Sequence, residues 1–508
     1  MQIFTHNVLK PNKPFYGLLF ACFFLLYAAT AQRGVSWQDS GEFQYRVLVH
    51  DYFWISGIAR AHPCYIAGAE LFSRLFPASC RFYALNLFSG LGMAIALLLL
   101  ARILSLLQLK KSTIILAVLT LGLSHMAWWM STIAEVYTWS IALLMAEVLC
   151  LINICNLKDD KASSLANAWA ALALINGFHA SLHNFAFLNL PVYAILFIYL
   201  QFRKRFWLNA YVLFVSAGFW LMGACLLIIL CQVEWNTTQS FVATLKSLLF
   251  GSDYEDVVVG MRSINWPLLK MNLALASISL LNPAWFFVCF AGRTRTQHAC
   301  FKMALLGLTA IHLLFWIRYF VPDQATFILP SLALLTVWVG IGLDSLMLQR
   351  KHLIALCSVI ILSSIVTPVL LHHLVQTKQG GVARARELPF REESSYWLYP
   401  WKHNEQSAAR FIKQVCAILK EGDVLIADNT AAGPLMAAQA AGLISSTIRI
   451  VAFSKGLSAV ELTQLLKTKE RVYIVSPVAG YASNDLLTGA FTFEKEDVLY
   501  RIRSARHE

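Results

Sequence analysis

Long apolar runs, separated by short polar turns, occupy roughly the first three quarters of this chain. Each comes near the ~20 residues that a helix needs to cross a bilayer. The first spans about Pro14 to Ala31, and others fall at 83–101, 112–130, 136–156, 165–181, 184–200, 207–232, 268–291, 301–317, 325–347 and 353–372. That predicts about eleven transmembrane helices, with the stretch 165–200 open to a different break around His179 and His183. The first run continues at full spanning length without a small-residue cleavage site, so it reads as a retained span.

After His372 the pattern changes. A linker rich in charge and proline, 373–400, leads into alternating periods of helix and strand. Helices are expected at Glu405–Lys420, Pro434–Ala441 and Ser458–Leu466, and strands at Val424–Ala427, Ile448–Ala452 and Val472–Val475. The predicted fold is therefore an α-helical polytopic membrane domain, 1–372, followed by a small α/β soluble domain, 401–508. Asp428 and Asn429 close the first of those strands, a place where α/β folds hold ligands, but a polar turn between strand and helix is the favoured role.

Composition removes other classes. With 58% hydrophobic and 14% charged residues the chain is not a soluble globule. Its net charge of +13 sits largely in alternate turns: Lys10 and Lys13, Arg102, Lys110 and Lys111, Lys158 and Lys161, Arg203–Arg205, Arg293, Arg295 and Lys302, Arg350 and Lys351. These are the expected cytoplasmic turns, so the amino terminus is inside and an odd number of spans leaves the carboxyl-terminal domain outside. The basic charge is topological, and no nucleic-acid partner is expected. Eleven cysteines show no metal-ligand spacing; Cys64 and Cys80 share an outer loop and can pair only if their geometry allows it.

Two outer loops are long, 32–82 and 234–267. The first carries apolar clusters, Tyr52 to Ile55 and Tyr65 to Phe72, suited to short helices along the membrane surface. It also carries Asp39-Ser40-Gly41-Glu42, whose two acids are three residues apart and share a helix face. Carboxylates beside lipid are functional candidates unless they face water or a partner. Arg60 and His62 follow in the same loop, Trp128, Trp129, Glu135 and Tyr137 at the next outer turn, His179, His183 and Asn184 at the third, and Arg318, Tyr319 and Asp323 at the fifth. All are expected on one membrane face. Each has a plainer role as well. Asp39 or Glu42 can cap a helix, Glu135 can pair an arginine, Arg318 can snorkel, and Trp128 and Trp129 can form an aromatic belt. His179 and His183 have a spacing that suits a metal but no acid nearby in sequence, which favours a packed or hydrogen-bonded role.

Four of these segments carry a resemblance. Asp39-Ser40-Gly41-Glu42-Phe43, Ala61-His62-Pro63, Ala134-Glu135-Val136-Tyr137 and Asp323-Gln324-Ala325-Thr326-Phe327-Ile328-Leu329-Pro330-Ser331 stand in the order of a GT-C membrane glycosyltransferase family. The chain resembles its many bacterial members of unassigned substrate, which are related to protein O-mannosyltransferases, including the animal enzyme acting on plexin-type ectodomains. It departs from the pattern at His62-Pro63-Cys64-Tyr65, where the family continues His-Pro-Pro-Gly-Tyr, and at Gly177-Phe178-His179, where the family has Gly-Asn-His.

The resemblance implies an inverting transfer of a hexose, with mannose favoured, from a polyprenyl-phosphate donor to a hydroxyl on a protein, lipid or glycan. The expected setting is the outer face of a bacterial inner membrane. Asp39 is the favoured base, with Glu42 orienting the acceptor or exchanging that role. Arg318, and after it Arg60, suits the departing phosphate, because a guanidinium fork matches phosphate oxygens. His62, Glu135, Tyr137, His179, His183, Tyr319 and Asp323 are the remaining candidates for substrate binding. No cofactor is predicted, no metal ligands are assigned, and a divalent cation stays compatible with the chemistry. Besides the sugar donor and its acceptor, only membrane lipids are expected as partners. Two competing functions share these residues: a transporter or flippase of lipid-linked sugars, and a non-catalytic envelope assembly protein.

Overall fold

The computed structural model describes residues 13–504, apart from 55, 158–161, 205–209, 252–263, 294–297, 322, 347, 378–387, 453–458, 469–470, 480, 483–485 and 488–490. Lys10, Lys158, Lys161, Arg205 and Arg295 of the basic turns, the middle of the second long loop and much of the linker lie outside the described residues.

The membrane part begins with α1 (Lys13–Thr30), α2 (Gln38–Leu48), α3 (Pro63–Ser73) and α4 (Arg81–Leu106). It continues through α5 (Lys111–Gly122), α6 (His125–Met130), α7 (Tyr137–Asn156), α8 (Ala162–Leu182) and α9 (Phe185–Lys204). After these come α10 (Ala210–Gly223), α11 (Cys225–Thr238), α12 (Phe241–Phe250), α13 (Trp266–Leu280), α14 (Ala299–Arg318), α15 (Leu329–Ser345) and α16 (Arg350–Thr377). Among the described residues seven helices are long and apolar enough to cross a membrane, or up to nine if two bent pairs each count as one span. The protein is an integral membrane protein, with the spans ending in α4 and α15 largely buried and α1 and α16 at the periphery. Of the two apolar clusters in the first long loop, Tyr65 to Phe72 lies in α3 whereas Tyr52 to Trp54 is not helical, and Cys64 and Cys80 are both free thiols.

The count falls below eleven because three apolar runs are broken and because α8, 21 residues long but interrupted by Asn167, Asn176 and His179, is not among the apolar spans. Run 112–130 divides at Ser124, whose hydroxyl turns back to the Leu121 carbonyl at 2.8 Å. Run 268–291 bends by 86° at Pro283, which has no N–H to continue a helix, while Asn282 caps the following turn through the Ala284 amide at 2.9 Å. Run 207–232 bends by 72° after Gly223. There α8 and α10 approach backbone to backbone through two glycines. A methyl carbon on Gly177 would lie 2.3 Å from the Trp220 carbonyl oxygen, and one on Gly223 would lie 2.2 Å from that of Leu174.

The carboxyl-terminal part opens with α17 (Glu393–Leu398) and α18 (Ser407–Ile418). Then β1 (Val424–Ala427), α19 (Asn429–Ala440), β2 (Arg449–Ala452), α20 (Ala459–Thr468) and β3 (Val472–Ile474) complete the parallel half of a sheet. The strands β4 (Phe491–Glu496) and β5 (Leu499–Ser504) form an antiparallel hairpin, giving the order β2-β1-β3-β5-β4. Central β1 is apolar and buried at every position, as a parallel strand covered on both faces requires. Asp428 serves as the α19 cap, accepting from the Thr430 amide at 2.8 Å, which is the polar-turn role.

This part is docked firmly on the membrane domain. Trp37 donates its indole N–H to Ser407 at 2.7 Å, the Lys402 amide bonds the Thr30 carbonyl at 2.8 Å, and Thr132 donates to the Pro400 carbonyl at 2.9 Å. Trp128 and Trp129 are buried against Trp401 and Trp397, at ring distances of 5.6 and 5.0 Å, instead of forming a lipid-facing belt. Lys402 is fully buried among these rings, and burial pushes its ammonium down to about 7.

The glycine crossing yields a stability prediction. Gly177→Ala or Gly223→Ala should destabilise the protein by about 1–3 kcal/mol, because the added methyl meets backbone that cannot step aside. Thermal unfolding in detergent should show a lower midpoint for both, and none for Gly218→Ala on the same helix, where a methyl meets nothing within 4 Å.

Candidate active site

Helix α2 places Asp39 in its first turn, where the helix dipole favours an anion, and Glu42 about one turn on. Both line a cavity of about 90 Å³, together with Arg60, His62, Glu135, Tyr137, His183, Tyr319 and Asp323. Four carboxyl groups from three separate chain segments therefore meet in one place. Arg60 is the guanidinium lining the cavity, 3.2 Å from Glu42 and 3.8 Å from Asp39.

The loop that presents Arg60 is held by Arg46 at the far end of α2. Arg46 donates to the carbonyls of Asp51 at 3.3 Å and Arg60 at 3.0 Å and to that of Ala61, and lies 5.1 Å over the Trp54 ring. It is also 3.9 Å from Glu42, so one buried guanidinium fixes the loop and touches the acid. Glu135 is fixed from both sides. Ser40 donates to its carboxylate at 2.9 Å, and Ser89 clamps its backbone, accepting from the amide at 2.8 Å and donating to the carbonyl at 2.9 Å. Asp323 accepts from the Tyr137 hydroxyl at 3.3 Å.

The two histidines are set in opposite senses by the backbone. His62, in the left-handed region at φ 48° just before Pro63, bonds the Leu182 carbonyl through Nδ1 at 2.9 Å. A carbonyl only accepts, so the proton is on Nδ1 and the neutral ring offers a lone pair at Nε2. His183 Nδ1 accepts from the Phe185 amide at 3.1 Å, which leaves its proton on Nε2. The rings stack at 5.1 Å, and burial pushes His62 down to about 3 and His183 well below the usual range. The site thus has one imidazole acceptor and one imidazole donor, both uncharged at neutral pH.

Electrostatics separates the acids. Burial pushes Glu42 up to about 7 against the pull of Arg60, with Asp39 adding to the rise. Glu135 and Asp323 are also raised by burial first and by Asp39 next. Asp39 is the open member, its side chain 53% exposed. Among the described residues no group of three or more His, Cys, Asp or Glu is arranged to hold a metal ion.

Two sequence candidates stand apart from the cavity. Arg318 ends α14 with its guanidinium 5.9 Å over the Phe320 ring and does not line the cavity. His179 turns inward, 2.7 Å from Glu147 and 2.7 Å from Ser140, with none of its side chain exposed. His179 and His183 therefore do not form a joint metal site. Arg46, Ser40 and Glu147 were missed by sequence reasoning. Glu147 carried a signal, being an acid in the middle of an apolar span.

No family model matches the sequence, and no curated protein does. Solved structures do match. Over 97% of this chain and 98% of that one, the fold is similar to ArnT from Cupriavidus metallidurans bound to undecaprenyl phosphate, with a TM-score of 0.56 and 11% identity. An oligosaccharyltransferase from Archaeoglobus fulgidus matches at 0.50 and 10% identity, over 98% of this chain and 75% of that one. The arabinofuranosyltransferase AftD from Mycobacteria matches at 0.51 and 11% identity, with 98% of this chain covering 40% of that one. These neighbours are glycosyltransferases of the GT-C fold, and likeness at such identity establishes that fold for this chain.

A neutral carboxyl beside an arginine has a spectroscopic consequence. Infrared difference spectra should contain a protonated-carboxyl component that is lost as pH rises through about 7 and that Glu42→Gln removes, leaving the contributions of Glu135 and Asp323. The sign follows from burial: a raised carboxyl holds its proton below its own pKa and releases it above. A band unchanged in that variant would remove Glu42 from the assignment.

Proposed function

We propose that the protein is an inverting glycosyltransferase moving a hexose, with mannose favoured, from a polyprenyl phosphate to a hydroxyl acceptor at the extracytoplasmic face. The observation that carries this reading is the cavity itself, in which an open carboxylate, a guanidinium and two uncharged imidazoles converge on a GT-C fold.

Asp39 takes the acceptor proton as the hydroxyl oxygen attacks the anomeric carbon. The bond from that carbon to the phosphate oxygen breaks on the opposite side, inverting the centre, and the phosphate leaves with the electron pair. Arg60 offsets the charge growing on the phosphate, since it is the guanidinium within the cavity. Glu42 orients Arg60. His62 Nε2 accepts from a sugar hydroxyl, His183 Nε2–H donates to one, and Tyr137 and Tyr319 supply ring faces. Glu135 and Asp323 bind the remaining hydroxyls. ArnT bound to undecaprenyl phosphate supports a donor of the same lipid class.

Purified protein in detergent, given a short-chain polyprenyl-phosphate sugar and a panel of hydroxyl acceptors, tests the reading. Detergent abolishes the two compartments that transport requires, so product means chemistry, whereas donor binding without product on any acceptor would favour a transporter. Asp39→Asn should lower turnover by 100-fold or more, on the order of a general base's contribution. Arg60→Lys should lower turnover by roughly 100-fold with a smaller change in donor affinity, because a point charge does not replace the fork. Arg318→Lys should change turnover little. A loss confined to Arg318→Lys would return the phosphate role to Arg318.

The proposed orientation puts the amino terminus in the cytoplasm and the α/β domain outside. A reporter active only outside the cytoplasm should work when fused after Glu508 and fail after Lys351. The reverse pattern would invert the proposed topology.

A further inference from the structure

Helix α2, which carries Asp39 and Glu42, is covered on one side by α19 of the carboxyl-terminal domain. The two cross at a pair of glycines. A methyl carbon on Gly433 would lie 2.6 Å from the Gln38 carbonyl oxygen and 2.8 Å from the Glu42 amide nitrogen. One on Gly41 would lie 2.3 Å from the Ser36 carbonyl oxygen, 2.7 Å from the Pro434 nitrogen and 2.9 Å from its Cδ. Ordinary contacts between carbon atoms sit near ~3.5–4.0 Å, so neither helix tolerates a side chain here. Pro434 contributes by what it lacks: a nitrogen without hydrogen can face another backbone with no donor left unpaired. A Gly-Pro pair in mid-helix weakens the helix itself, and its benefit lies in this approach.

Anchors surround the crossing. Trp37, immediately before α2, bonds Ser407 and packs on Phe411 at 5.2 Å, and Gly34 lies against Ala409. The backbone that sets the two acids relative to Arg60 thus rests on the soluble domain, whereas the loop that carries Arg60 is tied to the membrane part through the Ile58 amide, which donates to Ser247 of α12 at 3.0 Å, and to α2 through Arg46.

We propose that α19 is the seat of the acidic helix and that Gly433 and Pro434 are positioning residues for Asp39 and Glu42, so that the soluble domain is a working part of the active site. This rests on the glycosyltransferase reading. Gly433→Ala should displace α2 from Arg60 and lower turnover on the order of 100-fold, the scale of a 1 Å misplacement, with donor KM changed by less than about threefold. The protonated-carboxyl band of Glu42 should titrate at a different pH in that variant, a readout independent of transfer. Ala440→Gly, at the exposed end of α19, weakens the helix without touching α2 and should leave both turnover and titration unchanged. If Gly433→Ala does not fold, Pro434→Ala, which removes ring atoms and adds no bulk, should still shift the titration and lower turnover several-fold.

Wild-type turnover with an unshifted titration in a folded Gly433→Ala would overturn the proposal. So would equal losses in Gly433→Ala and Ala440→Gly, which would reduce the contact to plain stability. If wild-type protein makes no product while the Gly433→Ala titration still shifts, the positioning stands and the glycosyltransferase reading falls.

Discussion

Four carboxyl groups gathered in one small cavity repel one another, and Glu42 and Glu135 are buried there as well, so much of the surrounding structure answers that cost. The answer is not one salt bridge for each acid. Arg60 lies within 4 Å of two of them, while Ser40 and Tyr137 donate to the other two. Glu42, Glu135 and Asp323 shift upward, so part of the charge is relieved by protons instead of cations. Asp39 is the acid open to solvent, its side chain 53% exposed. One acid open to solvent and three held back is a division of roles that four equivalent carboxylates would lack.

Keeping this arrangement requires backbone precision, and the molecule obtains it from two directions. On the membrane side the loop is tied to α12 through the Ile58 amide and Ser247, on the soluble side α19 presses on α2, and Arg46 joins the two by reaching from α2 to three carbonyls of the loop. Burying a guanidinium is unfavourable unless its donors are used, and here they are spent on main-chain oxygens that position Arg60 and His62. The left-handed backbone of His62 belongs to the same economy of placement, a modest strain kept because the ring is fixed at Nδ1.

Much of this was legible in the sequence, and what was not has physical reasons. Asp39, Glu42, Arg60, His62, Glu135, Tyr137, His183, Tyr319 and Asp323 were named from their places at polar turns, and all line the cavity. Arg318 is favoured over Arg60 in the sequence because it is the lone basic residue of a short outer turn, five residues before Asp323, but side-chain direction at a helix end is invisible to spacing. Hydropathy merged α10 with α11, since it measures how apolar a run is and not whether a glycine contact lets it bend. The first helix of the α/β domain's core was expected to begin at Pro434 and begins at Asn429. Gly433-Pro434 reads locally as a breaker and is overruled by the contact with α2. The β4–β5 hairpin was missed because its charged residues conceal the alternation and its turn uses Asp497 at φ 57° instead of glycine.

The Glu147 cluster shows why distances alone do not define a site. Ser140, His179 and Glu147 are linked in series at 2.7 and 2.7 Å, the spacing of a nucleophile, a base and its orienting acid. Yet His179 and Glu147 are wholly unexposed, and neither lines the cavity that holds the other acids. Asn189 donates to Glu147 at 2.8 Å, Asn176 at 3.3 Å and Tyr193 as well, so the carboxylate is saturated by neighbours on α8 and α9. His312 from α14 then bonds Asn189 at 2.9 Å. An acid in apolar surroundings ties together four helices that would otherwise gain little from packing on one another in lipid. His183 stands at the junction of two of those helices, four residues beyond His179. Because His183 lies past the end of α8, in the turn to α9, its ring is free of the helix face on which His179 meets Glu147 and lines the cavity instead.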